Sequence, residues 1–507
     1  MYVNDTNVFY LPIPIADPRN PSVSLNPYIN YFTGTMNSPS FRNVNMKYMD
    51  GAGVLQSQQR DLSNGRHIQF GNVGLFYDGD FNGWQVSVKS GFTKGKNTFD
   101  AFYSTTNPAD ATTFASSNLA AARTAFGAGV TRLGYAIAGT NGATVYDPAS
   151  ASGLVMQGQY RAVDSDFYSG QADLSVARQF ETGLGRHDVK VGVYGSMWGA
   201  SSFQEFQDYL IEVAGKPRTL DLVAYSSTGT VLGYVTDKGV LRYTTTLNRG
   251  DVDAKMMALY ANDTWDITDK LRLDMGIRHE WYDYTGYAAV TTAANLGDAT
   301  TLADNTTRAF TGAINNFALK PSATNWTVGV NYNLTDNFGA YGRVSTLEVP
   351  PTSTIALNTP PVAIKSKAKQ YEVGVKAAFG ASYLYLTAFY TQFDPLNASF
   401  VAFNPQTGRN DQAVTFVGTA ETKGIELDGR WRVWRPFSVM GSLTISDPKY
   451  KNLVNSAGAD PAAVNGKQII REPKIYGSIR PTFDFEMGGA QVSLYGSYEY
   501  VGDLPPS

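Results

Sequence analysis

The chain of 507 residues contains no cysteine, which excludes disulfide staples, thiolate zinc sites and cysteine nucleophiles. Charged residues are scarce, at 17% against roughly 25% in an average soluble domain, and that deficit argues against an ordinary soluble enzyme. A net charge of −3 and a pI of 5.8 provide neither a basic field for phosphates nor an acidic tail, so no nucleic-acid partner is expected. No uninterrupted apolar run reaches about 18 residues, which excludes spanning helices. It leaves open a spanning barrel, whose strands are apolar only at alternate positions. Met1 to Tyr10 lack the basic, apolar and small-residue regions of a secretory signal, so the chain either stays inside or is incomplete.

What is present is a period of two. Leu271, Leu273, Met275, Ile277 and Trp281 alternate with Arg272, Asp274, Gly276, Arg278 and Glu280. The same rhythm runs through Trp326, Val328, Val330, Tyr332 and Leu334, and after Thr335-Asp336-Asn337 through Phe338, Ala340, Gly342 and Val344, a hairpin with one apolar face. Tyr371, Val373 and Val375 interleave with Glu372, Gly374 and Lys376; Ile425, Leu427, Gly429 and Trp431 interleave with Glu426, Asp428, Arg430 and Arg432. Val189, Val191 and Val193, and later Val492, Leu494, Tyr498 and Tyr500, repeat the theme. About fourteen such segments, each near ten residues or longer, are expected.

Connections alternate in length. Short ones fall at Asp78 to Gly83, Glu181 to Arg186, Ile267 to Lys270, Thr335 to Asn337, Gly380 to Ser382, Arg435 to Pro436 and Met487 to Gly489. Long ones are expected at Ser104 to Met156, Ser202 to Arg249, Thr285 to Thr324, Leu347 to Ser366, Pro395 to Asp411 and Lys449 to Gln468. A transmembrane antiparallel barrel has short periplasmic turns and long extracellular loops, whereas a soluble sandwich or propeller has no reason for the asymmetry. Tryptophan fits: Trp84, Trp265, Trp431 and Trp434 lie near short turns, and Trp198, Trp281 and Trp326 near long loops, as two aromatic girdles require. Pro481 removes a ladder donor from the segment Ile475 to Phe485, where a bulge is expected. Thr112 to Phe126 reads as a short helix, and Leu220 to Leu247 as a polar hairpin outside the membrane.

Several local patterns mimic chemistry. Asp78-Gly79-Asp80 opens like a calcium loop, but Lys89 occupies the position where a closing glutamate is needed, so the segment reads as a polar turn. Gly127-Ala128-Gly129 has Arg132 at the third glycine position of a dinucleotide loop and no strand-to-helix context. Arg249-Gly250-Asp251 is an adhesion-like tripeptide at a surface loop end. His67, His187 and His279 stand on separate segments, and structural roles account for them unless a serine or carboxylate is brought near. No catalytic residue, metal site or cofactor is assigned, and no enzymatic activity is expected. Arg278, Glu280, Arg343, Glu372, Lys376, Glu426, Asp428, Arg430 and Arg432 carry more information. Facing lipid, each Arg or Lys costs roughly 2–4 kcal/mol at the midplane, so all nine are expected to face a wet or protein-filled interior. There they either form cross-strand ion pairs or hydrogen-bond a plug or polar solute.

At this point the chain resembles the barrel of a TonB-dependent outer-membrane receptor. Ala258-Leu259-Tyr260-Ala261-Asn262-Asp263-Thr264-Trp265, with Thr268-Asp269-Lys270-Leu271 and Gly276-Ile277-Arg278, is similar to that family's hairpin and Gly-x-Arg strand. Tyr371-Glu372-Val373-Gly374-Val375-Lys376 with Phe389-Tyr390, Lys423-Gly424-Ile425-Glu426-Leu427, Glu472-Pro473, Tyr498 to Asp503, and Arg186-His187-Asp188 with Val191-Gly192 carry the likeness further. They span most of Phe70 to Asp503.

The resemblance implies an all-β transmembrane barrel of about 22 strands, about fourteen of them here. It implies uptake of a scarce ligand, most often a ferric siderophore, driven by the TonB complex acting on a plug. Iron enters only as cargo. Residues 1–64 are expected to be mainly an extracellular loop and 65–503 the barrel strands, in outer-membrane lipid of a Gram-negative bacterium, as a monomer. Signal peptide, TonB box, plug and closing strands are not found, so an internal fragment is expected; an isolated open wall would leave two unpaired edges in lipid. Position nominates Trp198, Tyr284, Tyr287, Phe393 and Tyr450 as ligand contacts, and the nine interior charges as plug contacts. The alternatives are a fourteen-stranded diffusion porin, an outer-membrane enzyme using the histidines, or uptake of carbohydrate, cobalamin or haem by the same machinery.

Overall fold

The structure, a computed structural model, describes residues 1–7, 28–30, 34–35, 37–351, 353, 355, 365–404, 409–454 and 465–504. The chain begins with β1 (Tyr2–Asn7), β2 (Val44–Met49), β3 (Leu55–Arg60), β4 (Arg66–Phe81) and β5 (Trp84–Ser104). β6 (Ala109–Asp110) leads into α1 (Ala111–Phe126), followed by β7 (Arg132–Ile137) and β8 (Val145–Tyr146). Next come β9 (Leu154–Thr182), β10 (Gly185–Glu212), β11 (Leu220–Tyr225), β12 (Val231–Tyr234), β13 (Val240–Asp266) and β14 (Leu271–Ala294). The remainder is β15 (Thr307–Leu319), β16 (Ser322–Asn333), β17 (Phe338–Val349), β18 (Ser366–Phe379), β19 (Ser382–Asn404), β20 (Arg409–Trp434), β21 (Phe437–Val454), β22 (Ile475–Met487), β23 (Ala490–Tyr495) and β24 (Tyr498–Val501).

Each long strand pairs antiparallel with the next, from β4 to β24. β15 and β16 both pair with β14, so they are two halves of one wall strand broken at Pro321. β23 and β24 likewise share β22. Counted this way the wall has fourteen long strands, with β1 added along the outer end of β4. Among the described residues the wall is open, β24 pairing on one side only.

Local chemistry sets the turns. Asn82 and Gly83 have φ of 55° and 82°, and Gly488 and Gly489 have 62° and 84°; two-residue hairpins of this hand need positive φ at both positions, which Asn-Gly and Gly-Gly adopt at least cost. Asp80 locks the first turn by accepting from the Gly83 amide at 3.0 Å, which is the role of the calcium-like sequence. Opposite Pro481 the ladder breaks at Gly496 and Ser497, yet Thr482 pairs with Tyr495 and Ile479 with Tyr498, so the register does not shift. The expected bulge is therefore a gap: a lost donor leaves a bond unmade without requiring an extra residue.

One face of the wall is an apolar band. Val73, Leu75, Ile277, Val373, Val375, Ile425 and Leu494 are all more than half exposed on it, which places lipid against them. Trp265 stands opposite Leu273, and Met257 opposite Trp281, so two tryptophan levels lie eight residues apart on β14. That is roughly 26 Å along a strand, and less across the bilayer once tilted, matching a barrel's apolar band. Trp198 is the exception: its partner Ala254 shares the face of Ala258 and Tyr260, away from lipid.

The strands run well beyond this band, where the sequence reading placed loops. β10 continues to Glu212 and β13 begins at Val240 inside the expected Ser202–Arg249 loop; β14 and β15 consume most of 285–324, and β19 and β20 most of 395–411. Beyond the band no lipid sets one face apart, and Phe102, Tyr160, Tyr209, Leu210 and Ile211 are buried under folded-back segments instead, so alternation fades while the backbone ladder continues. Of the segments read as loops, positions 8–27, 356–364, 405–408 and 455–464 lie outside the described residues. α1 forms at Ala111–Phe126, one residue longer than expected, capped by Asp110, whose carboxylate accepts from the Thr113 amide at 2.7 Å. The Leu220–Leu247 hairpin is realised as β11 and β12, in a separate four-stranded sheet with β7 and β8, while Val240 onward belongs to the wall. α1 covers that sheet through a core of Ala122, Val130, Tyr135, Leu220 and Leu222.

The β2–β3 hairpin packs on the lipid-side face of the wall, above the band, where Phe41, Val44, Met46 and Leu62 meet Phe102, Tyr160, Tyr209 and Tyr243. Polar groups are buried with them. Arg60 bridges Asp100 at 2.8 Å and Asp164 at 3.0 Å, and Tyr160 donates to Asp100 at 2.8 Å. Glu205 is wholly buried; it accepts from Gln58 at 2.6 Å and among the described residues forms no ion pair, so burial, opposed only weakly by the more distant Arg60, pushes its pKa up to about 7.

Two outcomes follow from this arrangement. Val373→Arg, at the centre of the band, is expected to reduce the folding free energy of the complete reading frame into lipid vesicles by about 2–4 kcal/mol, whereas Val373→Leu leaves it nearly unchanged; equal effects would refute the lipid-facing assignment. Because Glu205 is raised when folded, its contribution is fully present below the unfolded value near 4.5 and is lost as pH rises through about 7. The shift is worth about 3 kcal/mol. Hydrogen exchange at β2–β3, corrected for intrinsic rates, should accelerate across that window in the native chain and stay flat in Glu205→Gln.

Candidate ligand site on the inward face

Strand alternation fixes what lies opposite the lipid band. Arg278, Glu280, Arg343, Glu372, Lys376, Glu426, Asp428, Arg430 and Arg432 all fall on the inward face, each paired with residues of that same face. Arg278 donates to Glu280 at 2.6 Å and lies over the Tyr194 and Tyr260 rings at 4.9 and 5.8 Å. Tyr282 completes the carboxylate's shell at 2.6 Å, and Glu280 is 7% exposed. Arg343 and Glu372 stand opposite each other and pair at 3.0 Å, while Lys376 donates to Asn331 at 2.7 Å. Arg430 reaches the Ser438 hydroxyl at 3.3 Å; Glu426 and Asp428 are exposed.

The five aromatic candidates separate into three places. Trp198 meets Tyr284 edge-on at 6.1 Å, and Tyr282 stacks on Tyr284 at 5.9 Å, with Ile355 closing the cluster. Tyr284 is 1% exposed and donates to the Pro351 carbonyl at 3.1 Å, so its ring packs the wall instead of facing a ligand. Tyr450, 4% exposed, packs with Leu453 and the half-buried Phe393 in a second cluster further round the wall. Tyr287 stands opposite Asp251 and alternates away from Tyr284, which puts it on the other face of the wall. A position near an outer strand end does not distinguish a ring that faces ligand from one that anchors a loop.

The histidines stay apart. His67 bonds Asn4 at 2.6 Å and His279 bonds Thr324 at 2.7 Å. His187 bonds Asp263 at 2.8 Å and is stacked between Phe180 and Trp265 at the short-turn girdle. Arg249 of the adhesion-like tripeptide lies against Phe203 and Phe310 within β13's ladder, and Gly127 ends α1 with φ of 93°.

A cavity of about 810 Å³ opens between the outer ends of β9, β10 and β13 and the 293–295 and 305–308 segments. Gln159, Arg161, Gln204, Phe206, Arg242 and Arg308 line it. None was a sequence candidate: Gln204, Phe206, Arg242 and Arg308 lay in the segments Ser202 to Arg249 and Thr285 to Thr324, read as loops, and Gln159 and Arg161 just past another; the signal available was the inward phase of Gln204 and Phe206, continuous with Tyr194, Ser196 and Trp198. A second hollow, about 560 Å³ among Phe338, Phe379, Leu384, Leu427 and Trp431, opens on the apolar face, where acyl chains lie.

An open antiparallel wall with an apolar band, aromatic rims and a charged inner face defines an outer-membrane type of β-barrel. The family described as TonB dependent receptor-like, beta-barrel matches residues 18–506, and the chain belongs to it. Barrels of this family are outer-membrane proteins of Gram-negative bacteria. Among solved structures the chain is similar to the siderophore receptor PiuA from Acinetobacter baumannii, at 16% identity and TM-score 0.49, over 82% of this chain and 52% of that one. It is similar to the ferric-catecholate import receptor Fiu from E. coli K12 at 14% identity and TM-score 0.49, over 86% and 51%. With BauA, the ferric preacinetobactin receptor from Acinetobacter baumannii, identity is 16% and TM-score 0.47, over 90% and 55%. The chain spans about half the length of the structures it matches. No curated protein sequence matches it.

The inner face yields its own test. Arg278→Ala is expected to destabilise the barrel by about 2–3 kcal/mol, less than the loss for a fully buried pair because Tyr282 still donates to Glu280. Arg278→Ala with Glu280→Gln should recover most of it, measured by urea unfolding; no recovery would show that the guanidinium acts through Tyr194 and Tyr260 instead.

Proposed function

We propose that this chain is the wall of a TonB-dependent uptake receptor that binds a ferric siderophore at its outer mouth and passes it inward without covalent chemistry. The observation that supports this most is the family match over 18–506, joined to a continuous polar inner face between apolar rims. Arg278, Arg343, Glu372, Lys376, Glu426, Asp428, Arg430 and Arg432 would hydrogen-bond a plug; Glu280, whose shell is already filled, would fix Arg278. At the mouth, Trp198 offers its half-buried ring and Phe393 a second one, with Tyr284 and Tyr450 holding the loops behind them. The protein would reside in the outer membrane of a Gram-negative cell, working as a monomer with the TonB complex.

The test is uptake. The complete reading frame, expressed in a strain whose own siderophore receptors are deleted, should restore energy-dependent accumulation of a radiolabelled ferric siderophore, and accumulation should vanish when TonB is absent. Trp198→Ala should lower accumulation about tenfold, about 1.4 kcal/mol of binding. Entry that persists without TonB and shows no saturation would refute the reading in favour of a diffusion pore.

A further inference from the structure

The lipid-side face of the wall carries a depression at its outer rim, apart from the hollow beside Trp431. It crosses β4, β5, β9, β10 and β13 and has a volume of about 740 Å³. Two rows of the ladder build it. Leu75, Ser90, Ala172 and Gly195 are register partners in the lower row, which runs on through Met257 to Trp281 of the upper tryptophan level. Val73, Phe92, Gly170, Met197 and Lys255 are partners in the row above. Because Ser90, Gly170, Ala172 and Gly195 are small, the floor sinks between the exposed side chains of Val73, Leu75, Phe92 and Met197. A Cβ on Gly195 would meet nothing nearer than the Met256 carbonyl at 4.0 Å. Five strands span roughly 19 Å, at about 4.8 Å per spacing, which is wider than one acyl chain.

Cations stand above this apolar floor. Lys255 ends the upper row, and Lys94 lies one row further out, opposite Gly71 and Tyr168. Both are exposed, and among the described residues neither forms an ion pair. The carboxylates beside Lys255 are engaged elsewhere: Asp253 accepts from Tyr168 at 2.6 Å across Gly199, and Asp283, opposite Lys255, pairs with Lys320 at 3.5 Å. Lys96, next beyond Lys94 on the same face, reaches the exposed Asp166 only at 3.7 Å. Further round the wall the lysines of this face are matched. Glu348 takes Lys365 and Lys367 at 3.1 Å each, Asp447 takes Lys449 at 2.7 Å, and Glu421 takes Lys451. A lysine just outside an aromatic rim lays its stem along apolar surface and sets its ammonium among headgroup phosphates.

We infer that this depression binds a phosphorylated, multiply acylated glycolipid of the outer leaflet, with acyl chains over Ser90, Gly170, Ala172 and Gly195 and headgroup phosphates on Lys94 and Lys255. The level selects the leaflet: Trp281 belongs to the girdle on the long-loop side, and both lysines stand beyond it. The spacing selects the headgroup. Lys94 and Lys255 are three strand spacings apart, roughly 14 Å, with the half-buried Tyr168 between them, which suits two phosphates carried on a sugar framework better than one phosphodiester. The site lies outside the barrel, apart from any path for cargo, and its failure leaves the uptake reading untouched.

The experiment is lipid counting by native mass spectrometry on the complete reading frame, purified and placed in phosphatidylcholine nanodiscs. The probes are diphosphoryl lipid A, monophosphoryl lipid A and phosphatidylglycerol. The native chain is expected to retain one more diphosphoryl lipid A than the chain carrying both Lys94→Gln and Lys255→Gln. It should hold that lipid at least tenfold more tightly than phosphatidylglycerol, with the monophosphoryl form between them and an affinity that falls as salt rises. Gly195→Leu, which fills the depression without touching a charge, should weaken retention about fivefold, whereas Lys367→Gln, at a lysine already held by Glu348, should leave it unchanged. Equal retention by the native and doubly substituted chains, or an equal loss in Lys367→Gln, would overturn the site. Undiminished retention in Gly195→Leu would refute the seat for the acyl chains. Phosphatidylglycerol held through the same lysines as tightly as diphosphoryl lipid A would overturn the glycolipid assignment in favour of any anionic lipid.

Discussion

Everything in this molecule follows from the backbone hydrogen-bond requirement of a strand in lipid. A bilayer core offers no water to an amide, so each N–H and C=O at that depth must be paired with a neighbouring strand. That requirement makes the strands antiparallel neighbours in chain order, sets tight turns where the chain reverses on one side, and leaves alternate side chains to two different environments. The band from Leu273 to Trp281 and the opposed charges Arg278 and Glu280 are consequences of the same pleat.

The same constraint explains how the outer half departs from the inner one. Above the band water satisfies the backbone, so pairing becomes optional and is kept where packing rewards it. There β5, β9, β10 and β13 carry a second layer on the lipid-side face: the β2–β3 hairpin, with Phe41 at 4.3 Å from Phe102 and Arg60 spanning Asp100 and Asp164. A buried carboxylate such as Glu205, with amide and hydroxyl donors and no ion pair among the described residues, is tolerable here because protonation neutralises it. In the band a residue of that kind would face hydrocarbon.

How far the sequence could be read depends on that boundary. Between the rims one face is apolar and the other wet, and Val373 beside Glu372, or Leu427 beside Glu426, gives strand, phase and facing at once. The turns at Asn82-Gly83 and Gly488-Gly489 were legible because positive φ restricts which residues serve there. Above the upper rim no lipid sets one face apart, and Phe203, Phe206, Tyr209, Leu210 and Ile211 fall on both faces among Gln and Glu, so Ser202 to Glu212 shows no strand period while its backbone continues a ladder. Tyr284 and Tyr450 looked like ligand contacts because an exposed aromatic and one buried under a folded-back segment are identical in sequence; only the placement of Ile355, Pro351 and Leu453 separates them. Arg161 was illegible for a related reason: its guanidinium lies over the Tyr103 and Phe206 rings, at 4.8 and 5.1 Å, which register and not spacing brings to it.

Charge on the inner face is arranged in two regimes. Between the rims, Arg278 meets Glu280 and Arg343 meets Glu372, while Lys376 and Arg430 are held by the neutral Asn331 and Ser438 and Glu426 and Asp428 stay exposed. Above them, in the cavity of β9, β10 and β13, Arg242 is paired with the buried Asp208, whereas Arg161 lies between the Tyr103 and Phe206 rings and among the described residues forms no ion pair. A cation held by rings keeps more of its field than one held by a carboxylate, and the low dielectric of a walled cavity strengthens that field where water would weaken it.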